Sequence, residues 1–173
     1  MKSSRCRQRR SVAGVSLVEL VATVAVTAIV GALGLSAYRT YAVRAEISSG
    51  IADTARLRER VATAFGATGI PPADRVAAGL GPARDPAWGD YVGEVDVING
   101  RVDLRFGRAA DDAIAGRTLS MTPFETADQR VVWICGNKLP GLGLKPLGFA
   151  SGAPQPVQIL TLIEPRFLPP YCR

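Results

Sequence analysis

A long apolar run near the N-terminus constrains this chain more than any other feature. It extends from Ser11 to Tyr38, and between Val15 and Ala37 the only ionisable side chain is that of Glu19. A helix made of that inner stretch would be about 34 Å long at about 1.5 Å per residue, enough to cross a hydrocarbon core of about 30 Å. The sequence therefore predicts a membrane-spanning helix that carries one carboxylate in an otherwise lipid-like segment.

The first ten residues are strongly basic, whereas the rest of the chain is nearly neutral. Five of the 21 lysines and arginines lie there, namely Lys2, Arg5, Arg7, Arg9 and Arg10. The remaining 16 face 15 acidic residues, so the net charge of +6 belongs to the N-terminal head and gives no reason to expect a body that binds nucleic acid. A basic head before an apolar helix also predicts that the N-terminus stays in the cytoplasm.

The cysteine count indicates that the basic head is removed. The chain has three cysteines, Cys6, Cys135 and Cys172, and an odd number suggests a free thiol. Cleavage before the apolar run would remove Cys6 together with the excess positive charge and leave an even pair. One event therefore accounts for both anomalies.

Three fates of the apolar run remain open from composition. The first is an uncleaved single-span anchor, and the second is a secretory signal peptide cut at small residues near 32–34 or at Ala37. The third is a segment that is trimmed at its front and kept. Glu19 disfavours the first two, because an unpaired carboxylate is costly in an apolar segment.

The residues around Glu19 resemble the processing site of type IV pilins. In that family a short basic leader ends in glycine, the first mature residue is apolar, and a glutamate is the fifth. In "AGVSLVELV", Gly14 would end the leader, Val15 would be the first mature residue and Glu19 is the fifth. Val15 departs from the phenylalanine or methionine that the family usually has. The resemblance implies cleavage between Gly14 and Val15 by a prepilin peptidase, and N-methylation of Val15.

Glu19 is expected to act in filament assembly. Burying a lone carboxylate among packed helices costs free energy, and burying one that is paired with an ammonium group costs much less. The new amine of Val15 on a neighbouring subunit is the natural partner. The alternatives are a local pair with the amine of its own chain at i,i+4 and a carboxylate that stays protonated in lipid.

The helix is predicted to continue beyond the membrane to about Phe65. Apolar residues recur there at steps of three and four, which marks one helical face. These positions are Val43, Ile47, Ile51, Thr54, Leu57, Val61 and Ala64 or Phe65. Gly66, Gly69 and Pro71-Pro72 are expected to end the helix.

The middle of this helix carries a second resemblance to pilins. Tyr38, Tyr41 and Arg44 match a Tyr-x-x-Tyr-x-x-Arg pattern of the family. Ser36 stands where the family usually has the proline at which the helix bends or melts. Gly31 and Gly34 are the candidates for local softness instead.

A four-stranded antiparallel sheet is predicted for residues 91–135, after a connecting loop at 66–90. Alternating apolar residues flank Asn99-Gly100, a strong hairpin signal because both turn residues need positive φ. "GRTLSMTP" is predicted as a third strand that ends at Pro123, and "QRVVWICG" as a fourth. The apolar face of such a sheet needs a cover, which the amphipathic half of the helix supplies.

This block resembles the type IVa pilin head domain. The pattern comprises the Asn-Gly hairpin, a Gly-x-x-Leu-x-x-x-Pro strand, a Val-Trp-x-Cys-Gly strand and an ending, "FLPPYCR", similar to the family's Leu-Pro-x-x-Cys. The matching strand residues are Gly116, Leu119, Pro123, Val132, Trp133, Cys135 and Gly136. The resemblance implies an α+β fold, in which a long N-terminal helix packs on a four-stranded antiparallel sheet and a disulfide closes a C-terminal loop.

Cys135 and Cys172 are expected outside the cytoplasm, where such a pair forms a disulfide. Closing the loop 135–172 would stabilise the fold by roughly 4 kcal/mol in the chain-entropy account. Two free buried thiols are the alternative.

Nothing in the sequence predicts catalysis or a cofactor. Histidine, the usual general base near neutral pH and the commonest metal ligand, is absent. "GLGLKPLG" lacks the strand–glycine–helix context of a phosphate loop and has no Ser or Thr after its lysine. Asp111-Asp112 forms either a metal-binding pair or, more simply, a turn. Lys138 and Lys145 form either a basic patch for DNA or a host surface, or part of a solvated loop.

The sequence thus predicts three segments. Residues 1–14 form a cleaved leader. Residues 15–65 form a helix whose part 15–37 lies in the inner membrane before assembly and in the filament core afterwards. Residues 66–173 form a head on the cell surface.

The resemblance implies a type IV pilus subunit that serves twitching motility, adhesion or DNA uptake. Its partners would be other copies of the chain, the prepilin peptidase and the pilus assembly machinery. A minor pilin and a secretion-system pseudopilin are alternatives. A further one is a secreted binding protein whose signal peptide ends near Gly34.

Overall fold

The computed structural model describes residues 14–81, 88–107 and 109–173. The chain divides into two compact units, one up to Tyr38 and one from Arg39 to Arg173. The second is called the head unit below. The basic residues of the predicted leader, and Cys6, lie outside the described residues.

Two consecutive helices, α1 (Leu17–Asp53) and α2 (Ala55–Thr68), are separated by Thr54 alone. Thr54 is fully buried, and its hydroxyl donates to the carbonyl oxygen of Ile51 at 2.9 Å. The guanidinium of Arg58 donates to the same oxygen at 3.2 Å. Side chains therefore satisfy a carbonyl group at the break between the two helices.

The second helix ends at Gly69. This residue has φ of 69°, and its N–H donates to the carbonyl oxygen of Phe65. Glycine adopts this left-handed conformation without steric cost, which makes it the usual residue just past a helix end. Gly66 lies inside α2, so the helical path continues three residues beyond the expected end at Phe65.

Four strands form an antiparallel sheet in chain order, as the sequence predicted. They are β1 (Val92–Ile98), β2 (Arg101–Phe106), β3 (Thr118–Glu125) and β4 (Val131–Cys135). A two-residue strand, β5 (Lys145–Pro146), adds to β3. The long segment between the two cysteines thus contributes a short strand that the sequence reading missed.

The predicted hairpin joins β1 to β2. Val97 pairs with Val102 and Ile98 with Arg101, which leaves Asn99-Gly100 as a two-residue turn. Asn99 has φ of 50° and Gly100 has φ of 84°, as a type I′ turn requires. The hairpin prediction is confirmed.

Strand β3 continues through Pro123 to Glu125, so the prediction that proline ends it was wrong. The N–H and C=O of one residue in an antiparallel ladder point to the same neighbouring strand. The carbonyl of Pro123 accepts from the N–H of Leu147, so the backbone groups of Pro123 face the side of β3 on which β2 and β5 lie. On that side β2 pairs with β3 only as far as Met121, and β5 begins to pair with β3 at Phe124. The missing N–H therefore falls in a gap between partner strands and costs no ladder bond.

The core of the head unit lies between the helices and one face of the sheet. The expected helical positions Val43, Ile47, Ile51, Leu57 and Val61 are all buried there. Their partners on the sheet are Val92, Val95, Val97, Val102, Leu104, Phe106, Leu119 and Met121. The alternation along β2 places Arg101, Asp103 and Arg105 on the opposite face, which the C-terminal segment partly covers.

Candidate assembly site

The N-terminal unit presents a continuous apolar surface. All described residues from Gly14 to Tyr38 are exposed, and the large apolar side chains from Val15 to Leu35 are 58–77% exposed. By length and composition this helix is able to cross a membrane. An apolar surface of this extent marks a membrane or protein contact.

The predicted processing residues lie at the start of this surface. Gly14 and Val15 precede α1 in a non-helical stretch, and Val15 is 70% exposed. Glu19 lies in the first turn of α1, where the positive end of the helix dipole favours a carboxylate. A peptide bond in exposed, non-helical chain is accessible to a peptidase, and cleavage there would create an amine four residues before Glu19.

Helix α1 passes through Gly31, Gly34 and Ser36 without interruption. A Cβ atom added at either glycine would meet nothing within 4 Å. No packing against the described residues therefore requires glycine at these two positions, which remain the candidates for local softness.

The Tyr-x-x-Tyr-x-x-Arg residues have different surroundings. Tyr38 and Tyr41 are 68% and 71% exposed. Within the head unit, the Nε of Arg44 donates to the carbonyl oxygen of Arg166 at 2.8 Å, which ties the first turns of the head-unit helix to the C-terminal segment. The sequence pattern marked Arg44 but gave no sign of this partner.

Asp111 ties the turn after β2 to the head-unit part of α1. Its carboxylate accepts from the guanidinium of Arg39 at 3.0 and 3.3 Å, and its backbone N–H donates to Glu46 at 2.8 Å. The hydrogen bond from Arg39, followed by one from the N–H of Ala113, holds the pKa of the Asp111 carboxyl below its usual value. Sequence reasoning missed this role of Asp111.

Asp111-Asp112 leads into a turn, and the carboxylate of Asp111 accepts from the N–H of Ala113 within it at 2.8 Å. Among the described residues, no group of three or more His, Cys, Asp or Glu side chains is arranged to hold a metal ion. Lys138 and Lys145 are both exposed, and the ammonium of Lys145 lies 5.0 Å from the ring centroid of Phe149.

Cys135 and Cys172 form the expected disulfide, with an S–S distance of 2.01 Å. Both are buried, at 3% and 0% exposure. A Cβ added at Gly136 would lie 2.8 Å from the carbonyl oxygen of Cys172, so the backbone passes too close there for any side chain. The glycine of the Val-Trp-x-Cys-Gly pattern is therefore explained by the close approach of the Cys172 backbone and by its own φ of 56°.

An ion pair on the outer face of the sheet anchors the segment between the cysteines. Arg101 and Asp103 form two hydrogen bonds of 2.8 Å, with side chains only 7% and 14% exposed. Arg101 also donates to the carbonyl oxygen of Val157 at 2.8 Å. The segment is thus fixed to β2 from the side opposite to the core.

A family model for pilin, a bacterial filament protein, matches residues 43–173. The chain belongs to the pilin family. A pilin is a structural subunit that polymerises with other pilin subunits into a surface filament. The match begins at Val43 and so includes the last part of α1, all of α2, the sheet and both disulfide cysteines. Comparison with curated proteins gave no match.

Proposed function

We propose that this pilin is a type IV pilus subunit, made as a precursor and held in the inner membrane before assembly. In this proposal residues 1–14 are the leader, residues 15–37 span the membrane and later line the filament core, and residues 66–173 form the outer part of the head. The observation that carries it is the fully exposed apolar helix, which has Glu19 in its first turn and an accessible Gly14–Val15 bond before it.

The chemistry of assembly follows from the two environments of this helix, which are lipid in the membrane and protein in the filament. In the membrane its aliphatic side chains contact lipid, which is as apolar as they are. In the filament the same side chains pack against neighbouring helices, and the carboxylate of Glu19 pairs with the new amine of Val15 on a neighbour. Twitching motility, adhesion and DNA uptake are the roles that the type IVa resemblance implies for such a filament.

The first prediction concerns the mature N-terminus. Mass spectrometry of the chain from filaments sheared off the producing cells is expected to find N-methylated Val15 as the first residue. A Gly14→Val variant is expected to keep the leader and stay out of the filament, because the residue before the cut bond has changed. An N-terminus beyond Gly34 would indicate a secreted protein instead, and an intact Met1 would indicate an uncleaved anchor.

The second prediction concerns Glu19. A Glu19→Gln variant keeps the shape of the side chain but removes its charge, so it is expected to be cleaved normally while filament yield falls by about tenfold or more. Glu59→Gln, at an exposed glutamate of α2, is the matched control and is expected to assemble normally. Equal filament yields from the Glu19 variant and the unchanged chain would refute an assembly role for this carboxylate.

A further inference from the structure

A cavity of about 650 Å³ opens where the end of α2 meets the β3–β4 turn and the segment after β5. The larger apolar side chains that line it are those of Phe65, Ile70 and Val131, and the polar ones include Glu125 and Gln129. A volume of this size, with an apolar wall and a few polar groups, is typical of sites that bind small molecules. The charges around the cavity decide which class of molecule it suits.

Glu125 brings a negative charge that nothing neutralises. It lies partly buried at the end of β3, and its carboxylate forms no hydrogen bond or ion pair with the residues that the structure describes. Lys145 is opposite Glu125 on β5, but its ammonium lies over the ring of Phe149. Arg130, in the turn after β3, pairs with Asp128 instead. Both neighbouring cations are therefore engaged elsewhere.

The end of α2 adds hydrogen-bond acceptors to the same cavity. The last turn of this helix has no basic residue, so nothing within the helix balances the negative end of its dipole. The N–H of Gly69 donates to the carbonyl of Phe65, and that of Ile70 donates to the hydroxyl of Thr68. The carbonyl groups of Gly66 and Thr68, two residues of the lining, accept from neither N–H. The helix end therefore favours a positive charge beside it.

Gln129 has a backbone conformation that favours glycine. Its φ is 59°, in a turn that the backbone closes with hydrogen bonds from Gln129 to Thr126 and from Thr126 to Arg130. For a residue other than glycine this conformation is strained, and such strain is typical of functional positions. Glycine would relieve the strain but would remove a side chain that lines the cavity.

We infer that this cavity binds a small organic cation, which consists of an ammonium group on a compact apolar body. An ammonium group has only hydrogen-bond donors, and it donates here to Glu125, to the amide oxygen of Gln129 and to the end of α2. The apolar body packs against Phe65, Ile70 and Val131. This binding goes beyond the proposed function and does not depend on filament assembly.

Titration of benzylammonium chloride into the full chain in detergent tests this inference. In NMR spectra of the isotope-labelled chain, the backbone N–H signals of Gly66 and Gly69 are expected to shift and then to saturate. Benzyl alcohol has a similar apolar body without a charge and controls for partition into the detergent. It is expected to cause no saturable shift.

Two matched variants test the role of the carboxylate. Glu125→Gln keeps the shape of the side chain and removes its charge, so it is expected to weaken benzylammonium binding at least about fivefold. Glu59→Gln, at an exposed glutamate of α2, is expected to bind like the unchanged chain.

A third variant tests whether the strain at Gln129 serves binding. Gln129→Gly is expected to raise the Tm, because glycine adopts this conformation without strain, and to weaken benzylammonium binding by about threefold or more. Unchanged affinity in this variant would refute the contact between Gln129 and the ammonium group.

Three further outcomes would overturn the inference. The first is the absence of a saturable shift with benzylammonium, and the second is equal affinity in Glu125→Gln and the unchanged chain. The third is a larger saturable shift with calcium chloride than with benzylammonium, which would identify a metal site instead. Binding is measured on chains in detergent, so it can fail while the proposed function holds, and the reverse is equally possible.

Discussion

At the scale of single residues, Asp111 shows how one side chain connects two elements. Its carboxylate accepts from Arg39 on α1 and from the N–H of Ala113 in its own turn. Its backbone N–H donates to Glu46, two turns further along the helix. The contacts with Arg39 and Glu46 thus hold the turn after β2 against the head-unit part of α1, although the ion pair is partly exposed to solvent.

The third prediction is that the carboxyl group of Asp111 makes the stability of the fold depend on pH. Its pKa is lowered from the ordinary value of 3.8 in the folded chain, so the carboxylate stabilises the fold above that pH. The stabilisation is lost as the pH falls through the still lower pKa of the folded state. Asp111→Asn should therefore lower the Tm of the full chain in detergent near neutral pH. The difference from the unchanged chain should shrink once the pH falls below 3.8 and should disappear below the lower pKa of the folded state.

Asp112→Asn is the control for this experiment, because Asp112 is an exposed neighbour of Asp111 at the same turn. It is expected to leave the Tm almost unchanged. A Tm difference for Asp111→Asn that stays constant from neutral pH into strong acid would contradict the ion-pair account.

At the scale of elements, helix and sheet approach each other closely at Gly50 of α1. A Cβ added there would lie 2.8 Å from Cγ2 of Val92 and 3.1 Å from Cε1 of Phe106. Both neighbours are buried in the core, where little room exists for them to move. Glycine at this position lets the helix lie against β1 and β2.

The fourth prediction compares two glycines inside helices. Gly50→Ala is expected to destabilise the head by about 1–3 kcal/mol through overpacking, even though alanine is the better helix former. Gly66→Ala is the matched control, since a Cβ at Gly66 meets nothing within 4 Å. It is expected to stabilise the fold by roughly 0.5–1 kcal/mol. Denaturant unfolding of both variants measures the two effects, and shifts of the same sign would refute the packing argument.

Periodicity in the sequence was enough to predict the elements themselves. The buried residues of a helix recur every three or four positions, whereas those of a strand recur at every second position. Val43, Ile47 and Ile51 are buried as expected, and the Asn99-Gly100 turn joins the strands as expected. Periodicity could not show that the helical path is interrupted at Thr54, because the break depends on side-chain contacts with Ile51. It also could not show that β3 passes through Pro123, because that depends on where two partner strands end.

The candidate site was predictable only where chemistry is local in sequence. Gly14, Val15 and Glu19 stand close together, so their spacing carries the hypothesis. Arg44 with Arg166 is a pair distant in sequence that only the folded chain brings together, and neither residue type suggests the other.

At the scale of the whole molecule, one covalent bond holds the part of the head with least regular structure. Between Cys135 and Cys172 the chain contains the two-residue β5 and a short 3-10 turn at its end. The segment nevertheless partly covers the outer face of the sheet and fills core positions with Ile163 and Leu168. Its order therefore depends on anchors to the rest of the head.

The fifth prediction is the effect of removing this bond. A Cys135→Ala, Cys172→Ala double variant is expected to lose about 4 kcal/mol of stability, because its unfolded chain regains the freedom of a loop of 37 residues. The segment between positions 135 and 172 is expected to lose its order before the rest of the head unfolds. Trypsin should cut after Lys138 in the double variant and spare this site in the disulfide-bonded chain, while cleavage after Arg56 on α2 should be equal in both. Unchanged resistance at Lys138 would mean that Arg101, Gln158 and Thr161 hold the segment without the disulfide, and the stability of the head would then rest on its polar anchors.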